Sequence, residues 1–190
     1  IMTWLISFNI INTSNSTIEI TGFTQGPAIS TSPVTVTMQV WSTPSSYLNA
    51  SNAAWIQVGL STTTLSSSGS NTAIGYVSIT PVSIPAGATY GFYVGRVNGY
   101  VHYTNGTGIA GVTPWASDAN ITLTEGRGGV FPNPPINSRN WNGIIHYNVG
   151  SGGCDSTAIL NLTIGGIPGC MDSTASNYNP LATCDDGSCL

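Results

Sequence analysis

Hard oxygen ligands crowd the C-terminal end of this chain. Asp172, Asn177, Asn179, Asp185 and Asp186 fall between Cys170 and Cys189, although the whole chain holds only seven carboxylates. Calcium takes about six to eight oxygens from carboxylates, asparagine side chains and backbone carbonyls, and this cluster matches that donor set. The spacing is not that of an EF-hand, because no D-x-D-x-D-G run closed by a glutamate is present. The competing reading is a closed loop whose aspartates cap turns, Asp186-Gly187 being a favourable turn dipeptide by itself. Zinc is disfavoured: Cys184 and Cys189 are not a close pair, and no histidine is nearby in sequence.

All four cysteines, Cys154, Cys170, Cys184 and Cys189, lie in the last 37 residues. An even count in a chain of this composition predicts two disulfides and an oxidising compartment, with three pairings open.

Catalytic constellations are hard to find. His102 and His146 fall in separate strand-like segments, each beside a tyrosine (Tyr103, Tyr147). Asp118 and Glu125 are the carboxylates they can meet in space, but no nucleophile elbow, paired-carboxylate motif or metal-binding histidine pair occurs. The chain therefore reads as non-catalytic. Sugar binding is the stronger rival, since Trp41, Trp115, Trp141, Tyr100 and Tyr103 offer rings for stacking. Trp41, Trp55 and Trp141 lie in strand-like segments and are expected to pack as core or interface residues. Trp115, in the loop from Gly111 to Trp115, is the most ligand-like. Sequons begin at Asn12, Asn15, Asn49, Asn105, Asn120 and Asn161, making these candidate glycan acceptors. A chain so rich in Asn, Ser and Thr also produces such matches by chance.

Composition bounds the partners. Charged residues make up 5% of the chain, lysine is absent, and the cations are Arg96, Arg127 and Arg139, for a net charge of −4. Nucleic acid needs basic residues to displace counterions, and an anionic membrane surface needs them too, so neither is an expected partner. With 41% hydrophobic residues the chain is not a disordered one. A surface this neutral is tolerated when it is glycosylated or buried against other copies, which points to an extracellular or cell-surface protein. No apolar run is long enough to span a membrane. The sequence opens at Ile1 without a charged n-region, which predicts a mature product or fragment whose export signal has been removed.

The elements that must position these residues are strands. Val34, Val36, Met38 and Val40 alternate with Thr35, Thr37, Gln39 and Trp41, a period of two with one core face. The opening segment does the same with Met2, Trp4, Ile6, Phe8 and Ile10. Further strands are expected over 17–23, 55–60, 73–79, 90–97, 121–124 and 141–149, separated by Gly, Pro, Asn and Ser clusters. No sustained helical stripe appears. Eight or so strands in this span predict an all-β fold, an antiparallel jelly-roll-like sandwich over 1–149. Gly150-Ser-Gly-Gly153 then opens a flexible linker (150–169) with one short strand. There Ile159 and Asn161 face one side, and Leu160, Leu162 and Ile164 the other. The Cys-bounded module occupies 170–190.

The tail, from Gly169-Cys170-Met-Asp172 through Ala175-Ser-Asn177-Tyr-Asn179-Pro-Leu-Ala182 to Asp185-Asp-Gly-Ser-Cys189, resembles a short module of secreted bacterial surface proteins. Such modules are common in proteins exported by the type IX route and displayed on the cell. The resemblance implies a calcium-type loop with an outer pair Cys170–Cys189, leaving Cys154–Cys184. It also implies O-glycan acceptor contexts at Asp155-Ser-Thr157 and Asp172-Ser-Thr174. The segment from Gly153 to Thr163 is similar to linkers of those proteins. More loosely, the part from about Phe8 to Tyr147 resembles a sandwich module of secreted bacterial proteins. Val34–Trp41, Ala54-Trp-Ile-Gln57, Ile84-Pro-Ala-Gly87 with Tyr90-Gly-Phe92, and Asn142-Gly-Ile144 with His146-Tyr147 carry that likeness, which implies an adhesive or structural role.

Together these readings predict a structural subunit that self-associates into an extracellular filament or surface assembly, stiffened by disulfides and calcium. The apolar segments 2–11 and 158–164 are the expected assembly strands, each able to add to a neighbouring sheet. The alternative is a non-catalytic carbohydrate-binding or adhesive module.

Overall fold

The computed structural model describes residues 4–26, 31–67, 73–97, 99, 101–132, 134–150, 156–161, 168–169, 173–177, 184–185 and 190. For Trp4, Asn137, 156–161, 168–169 and 184–185 the main chain alone is described. The strands, in order, are β1 (Trp4–Asn12), β2 (Ile18–Gln25), β3 (Val34–Thr43), β4 (Ile56–Leu65) and β5 (Gly75–Ile84). Next come β6 (Thr89–Arg96), β7 (Tyr103–Asn105), β8 (Pro114–Ser117), β9 (Ile121–Thr124) and β10 (Gly126–Val130). The last are β11 (Ile136–Trp141), β12 (Gly143–Val149), β13 (Ser156–Asn161), β14 (Pro168–Gly169) and β15 (Cys184–Asp185). Among the described residues the only helical element is a single 3₁₀ turn, Asn52–Ala54.

The fold is the antiparallel sandwich that the period-two pattern predicts, with sheets of unequal size. One sheet runs β4-β3-β6-β1-β10-β11-β7, with β9 also pairing β1 and carrying β8; the other runs β13-β12-β2-β5. The edge strands β4 and β5 come together: a Cβ on Gly59 would lie 3.2 Å from the Ser78 carbonyl oxygen. The sheets thus curl into a half-barrel on that side.

Alternation explains the core. Val36, Met38 and Val40 of β3 are buried while Thr35 is exposed and Thr37 half-buried. Ile6, Phe8 and Ile10 of β1 join Ile18, Ile20 and Phe23 of β2, Phe92 and Val94 of β6, and Ile145 and Tyr147 of β12. At the centre the Phe8 ring lies 5.4 Å from that of Trp141, and Phe23 meets Trp141 edge-on at 5.6 Å. Each such side chain contributes about 1.5–3 kcal/mol by leaving water.

β1 departs from simple amphipathicity, since Leu5, Ser7 and Asn9 on its other face are buried too. Two loops cover that face. Asn9 holds them: its Nδ2 donates to Ser46 Oγ and the Gly111 carbonyl, both at 3.0 Å, and its Oδ1 accepts from the Tyr47 amide. Leu5, Tyr47, Trp55 and Tyr93 form a second apolar cluster there, with Trp41, Ala50 and Phe131 packed against it.

Candidate functional site

Addition of a strand to a neighbouring sheet needs a free main-chain edge, and segments 2–11 and 158–164 are the ones expected to supply it. The opening segment is not at an edge. β1 pairs with β6 from Leu5 to Ile11 on one side, and with β10 (Trp4–Ser7) and β9 (Ile10–Asn12) on the other. Of its expected assembly residues Ile6, Phe8 and Ile10 point into the core; the Trp4 main chain pairs with Val130, and Met2 lies outside the described residues.

The second segment lies at the margin of its sheet. β13 runs antiparallel to β12 through six successive pairs, from Val149↔Ser156 to Ile144↔Asn161, without a bulge. Ile159 and Leu160 therefore sit opposite His146 and Ile145, while Leu162 and Ile164 lie outside the described residues. Among the described residues no strand pairs the outer edge of β13.

The tail is described in part. β14 pairs in parallel with β15, setting Gly169 beside Asp185. At the other end of the module the Ser176 amide donates to the Leu190 carbonyl at 3.1 Å, and the Leu190 amide to Asn177 Oδ1 at 3.0 Å. Asp172, Asn179, Asp186, Cys154, Cys170 and Cys189 lie outside the described residues, as do the side chains of Asp185 and Cys184. Among the described residues no three His, Cys, Asp or Glu side chains gather as a metal group.

Trp115 stands on β8, half-buried, packed against the main core, with its indole N–H donating to the Trp141 carbonyl at 3.2 Å. Trp41 is half-buried on the outer face, its ring 4.7 Å from that of Phe131. The sequons separate by burial. Asn15, Asn49 and Asn105 are exposed. Asn12 is fully buried, its Nδ2 donating to the Ser16 and Ile84 carbonyls at 2.8 Å, so the folded chain withholds it from modification. Asn120 is half-buried and donates to the Tyr147 hydroxyl. Only the main chain of Asn161 is described.

Asp118, Glu125 and His146 make hydrogen bonds within the sandwich. Asp118 accepts from the Asn120 and Ile121 amides through Oδ1 and from the Tyr147 hydroxyl at 2.6 Å through Oδ2. Burial first, then this bond, push the Tyr147 hydroxyl up to about 12. Glu125 is buried between β9 and β10, and its carboxylate accepts from the Thr107 and Gly108 amides at 3.2 and 2.9 Å, fastening that loop. His146 on β12 bonds Thr24 Oγ1 through Nε2 at 2.7 Å, with the Tyr76 ring edge-on at 5.0 Å. Burial lowers the pKa of both His146 and His102.

Sequence reasoning missed the outer-face cluster. Its signal was a change of parity: Trp41 and Tyr93 pair across β3 and β6 beside the inward pair Val40 and Val94. Burial drives the Tyr47 hydroxyl there up to about 12, against the opposing charge of Arg127. No helix among the described residues is long and apolar enough to cross a membrane. No protein-family model matches this chain, no curated protein is significantly similar to it, and no solved structure matches it.

Proposed function

We propose that this chain is a structural subunit of an extracellular filament or surface assembly. It self-associates by β-strand addition and is stiffened by disulfides and calcium in its tail. The observation that carries the reading is the outer edge of β13. Soluble sandwiches blunt such edges with lysine, proline, bulges or inward charges. β13 is Ser-Thr-Ala-Ile-Leu-Asn, without charge or proline, and it follows β12 without a bulge. The low charge of the whole chain supports the same reading, because little electrostatic repulsion opposes association of copies. Exposed aliphatic side chains at Ile56, Leu60, Ile109 and Val112 add apolar surface.

Electron microscopy and light scattering of the oxidised full chain, concentrated with calcium, test the proposal. Regular polymers are expected. A monodisperse monomer under those conditions would sink it.

A further inference from the structure

We propose that β13 is the strand exchanged between copies: it leaves its own β12 and pairs with β12 of the next molecule in the register it holds at home. This rests on the self-assembly reading above and names the donor strand, the acceptor strand and the partner, a second copy of this chain. The two terminal segments differ in what binds them. Withdrawing β1 breaks ladders on both of its edges and removes Ile6, Phe8 and Ile10 from the core. Withdrawing β13 breaks one ladder of six pairs, and among the described residues β12 is the only element with which it makes extensive contact.

Among the described residues the ladder that holds β13 resides on β12, and every other copy carries the same β12. Exchange conserves those contacts, so its equilibrium turns on concentration, which is the condition under which swapping is a low-cost route to association. Main-chain bonds supply the affinity and the alternate side chains fix the register. The register matters, because a slip of one residue reverses the faces of the strand. The tail follows β13 in sequence, so exchange carries it to the neighbour as well. Passed from copy to copy in one direction, the exchange propagates; made reciprocally, it closes a dimer.

Asn148 and Thr157 are partners in the β12–β13 ladder, and directly opposed antiparallel residues lie within disulfide reach. Full-length Asn148→Cys and Thr157→Cys proteins are mixed, concentrated with calcium and oxidised, and the linked peptides are identified by mass spectrometry. Each molecule carries only one of the two new sulfurs, so a 148–157 link forms only between copies. That link is expected in the assembled fraction. A second arm places both substitutions in one chain and oxidises it while dilute, closing the pair within the molecule. Assembly is then expected to drop at least tenfold below that of either single variant oxidised in the same way. Assemblies without the 148–157 link, or undiminished assembly by the internally locked chain, overturn the exchange and leave the self-assembly reading standing. A wild-type chain that never assembles overturns both.

Discussion

The indole N–H of Trp141 donates to Gln25 Oε1 at 2.8 Å, with both side chains fully buried between the two sheets. The same amide donates from Nε2 to the Asn142 carbonyl at 3.2 Å, so one side chain of β2 serves both the end of β11 and the corner that leads into β12. That corner is where the chain passes from the large sheet to the small one, and it sets the position of β12. Gln25→Leu keeps the volume but orphans the buried Trp141 indole N–H, at about 1–3 kcal/mol, while the Asn142 carbonyl still accepts from the Gly26 amide at 3.0 Å. Urea unfolding is expected to show that loss with an unchanged m-value. Gln25→Glu, which keeps an acceptor but buries a charge, is expected to be no better. A Gln25→Leu protein as stable as wild type would remove this bond from the account of the corner.

Acid should loosen the small sheet through His146. Burial holds its folded pKa below the ordinary value near 6.5. Between the two values the unfolded chain binds the proton first, so stability rises with pH there. The contribution is present above about 6.5 and is lost as pH falls through the depressed folded value. The melting temperature is expected to drop from pH 7 to pH 5. His146→Gln, which retains a partner for Thr24 Oγ1, should show a smaller drop. Equal drops in the two proteins would assign the acid sensitivity elsewhere.

How much of this was legible in the residues depends on whether burial follows parity. In β3 it does, and Val36, Met38 and Val40 announced their face. β1 was legible as a strand but not as a central one, because the loops that bury Leu5, Ser7 and Asn9 come from 44–55 and 106–113. β10 was invisible: Gly126-Arg-Gly-Gly-Val130 has almost no side chains to alternate, and Gly126 answers to the backbone of β1. Trp115 looked free because a tryptophan beside a proline in a loop-like stretch gives no hint of the Trp141 carbonyl waiting below it. The edge position of β13 follows from the order in which strands meet, which no local pattern encodes.

Calcium removal tests the tail apart from the sandwich. A segment as short as 170–190 is not expected to bury a core of its own, so staples and an ion are its expected sources of order. An ion at a hundredfold its dissociation constant stabilises the bound form by about 2.7 kcal/mol. With disulfides intact, chelation is therefore expected to speed proteolysis within 170–190 several-fold while leaving 4–150 resistant. Adding calcium, but not magnesium, should restore protection, because magnesium dehydrates reluctantly and demands stricter geometry. Asp172→Asn with Asp186→Asn should abolish the difference. Identical cleavage rates with and without chelator would remove calcium from the assignment.

Two glycines predict opposite outcomes for the same substitution. At Gly126 a Cβ would stand 1.7 Å from the Ser7 carbonyl oxygen and 2.8 Å from its carbon, so the obstruction is backbone on the central strand. β10 cannot retreat, because Gly126 also pairs with Arg139 on its other side. Gly126→Ala is expected to separate β10 from β1, costing more than about 3 kcal/mol by the overpacking route. Gly87, in the tight connection before β6, has φ of +73° and nothing within 4 Å of a new Cβ. There the cost is conformational alone, about 1–2 kcal/mol for a left-handed residue. Chemical denaturation of the two variants side by side checks this, since only Gly126→Ala should also expose Arg127 and the outer-face tyrosines to solvent. If the two losses match, close approach at Gly126 is not what holds β10 against β1.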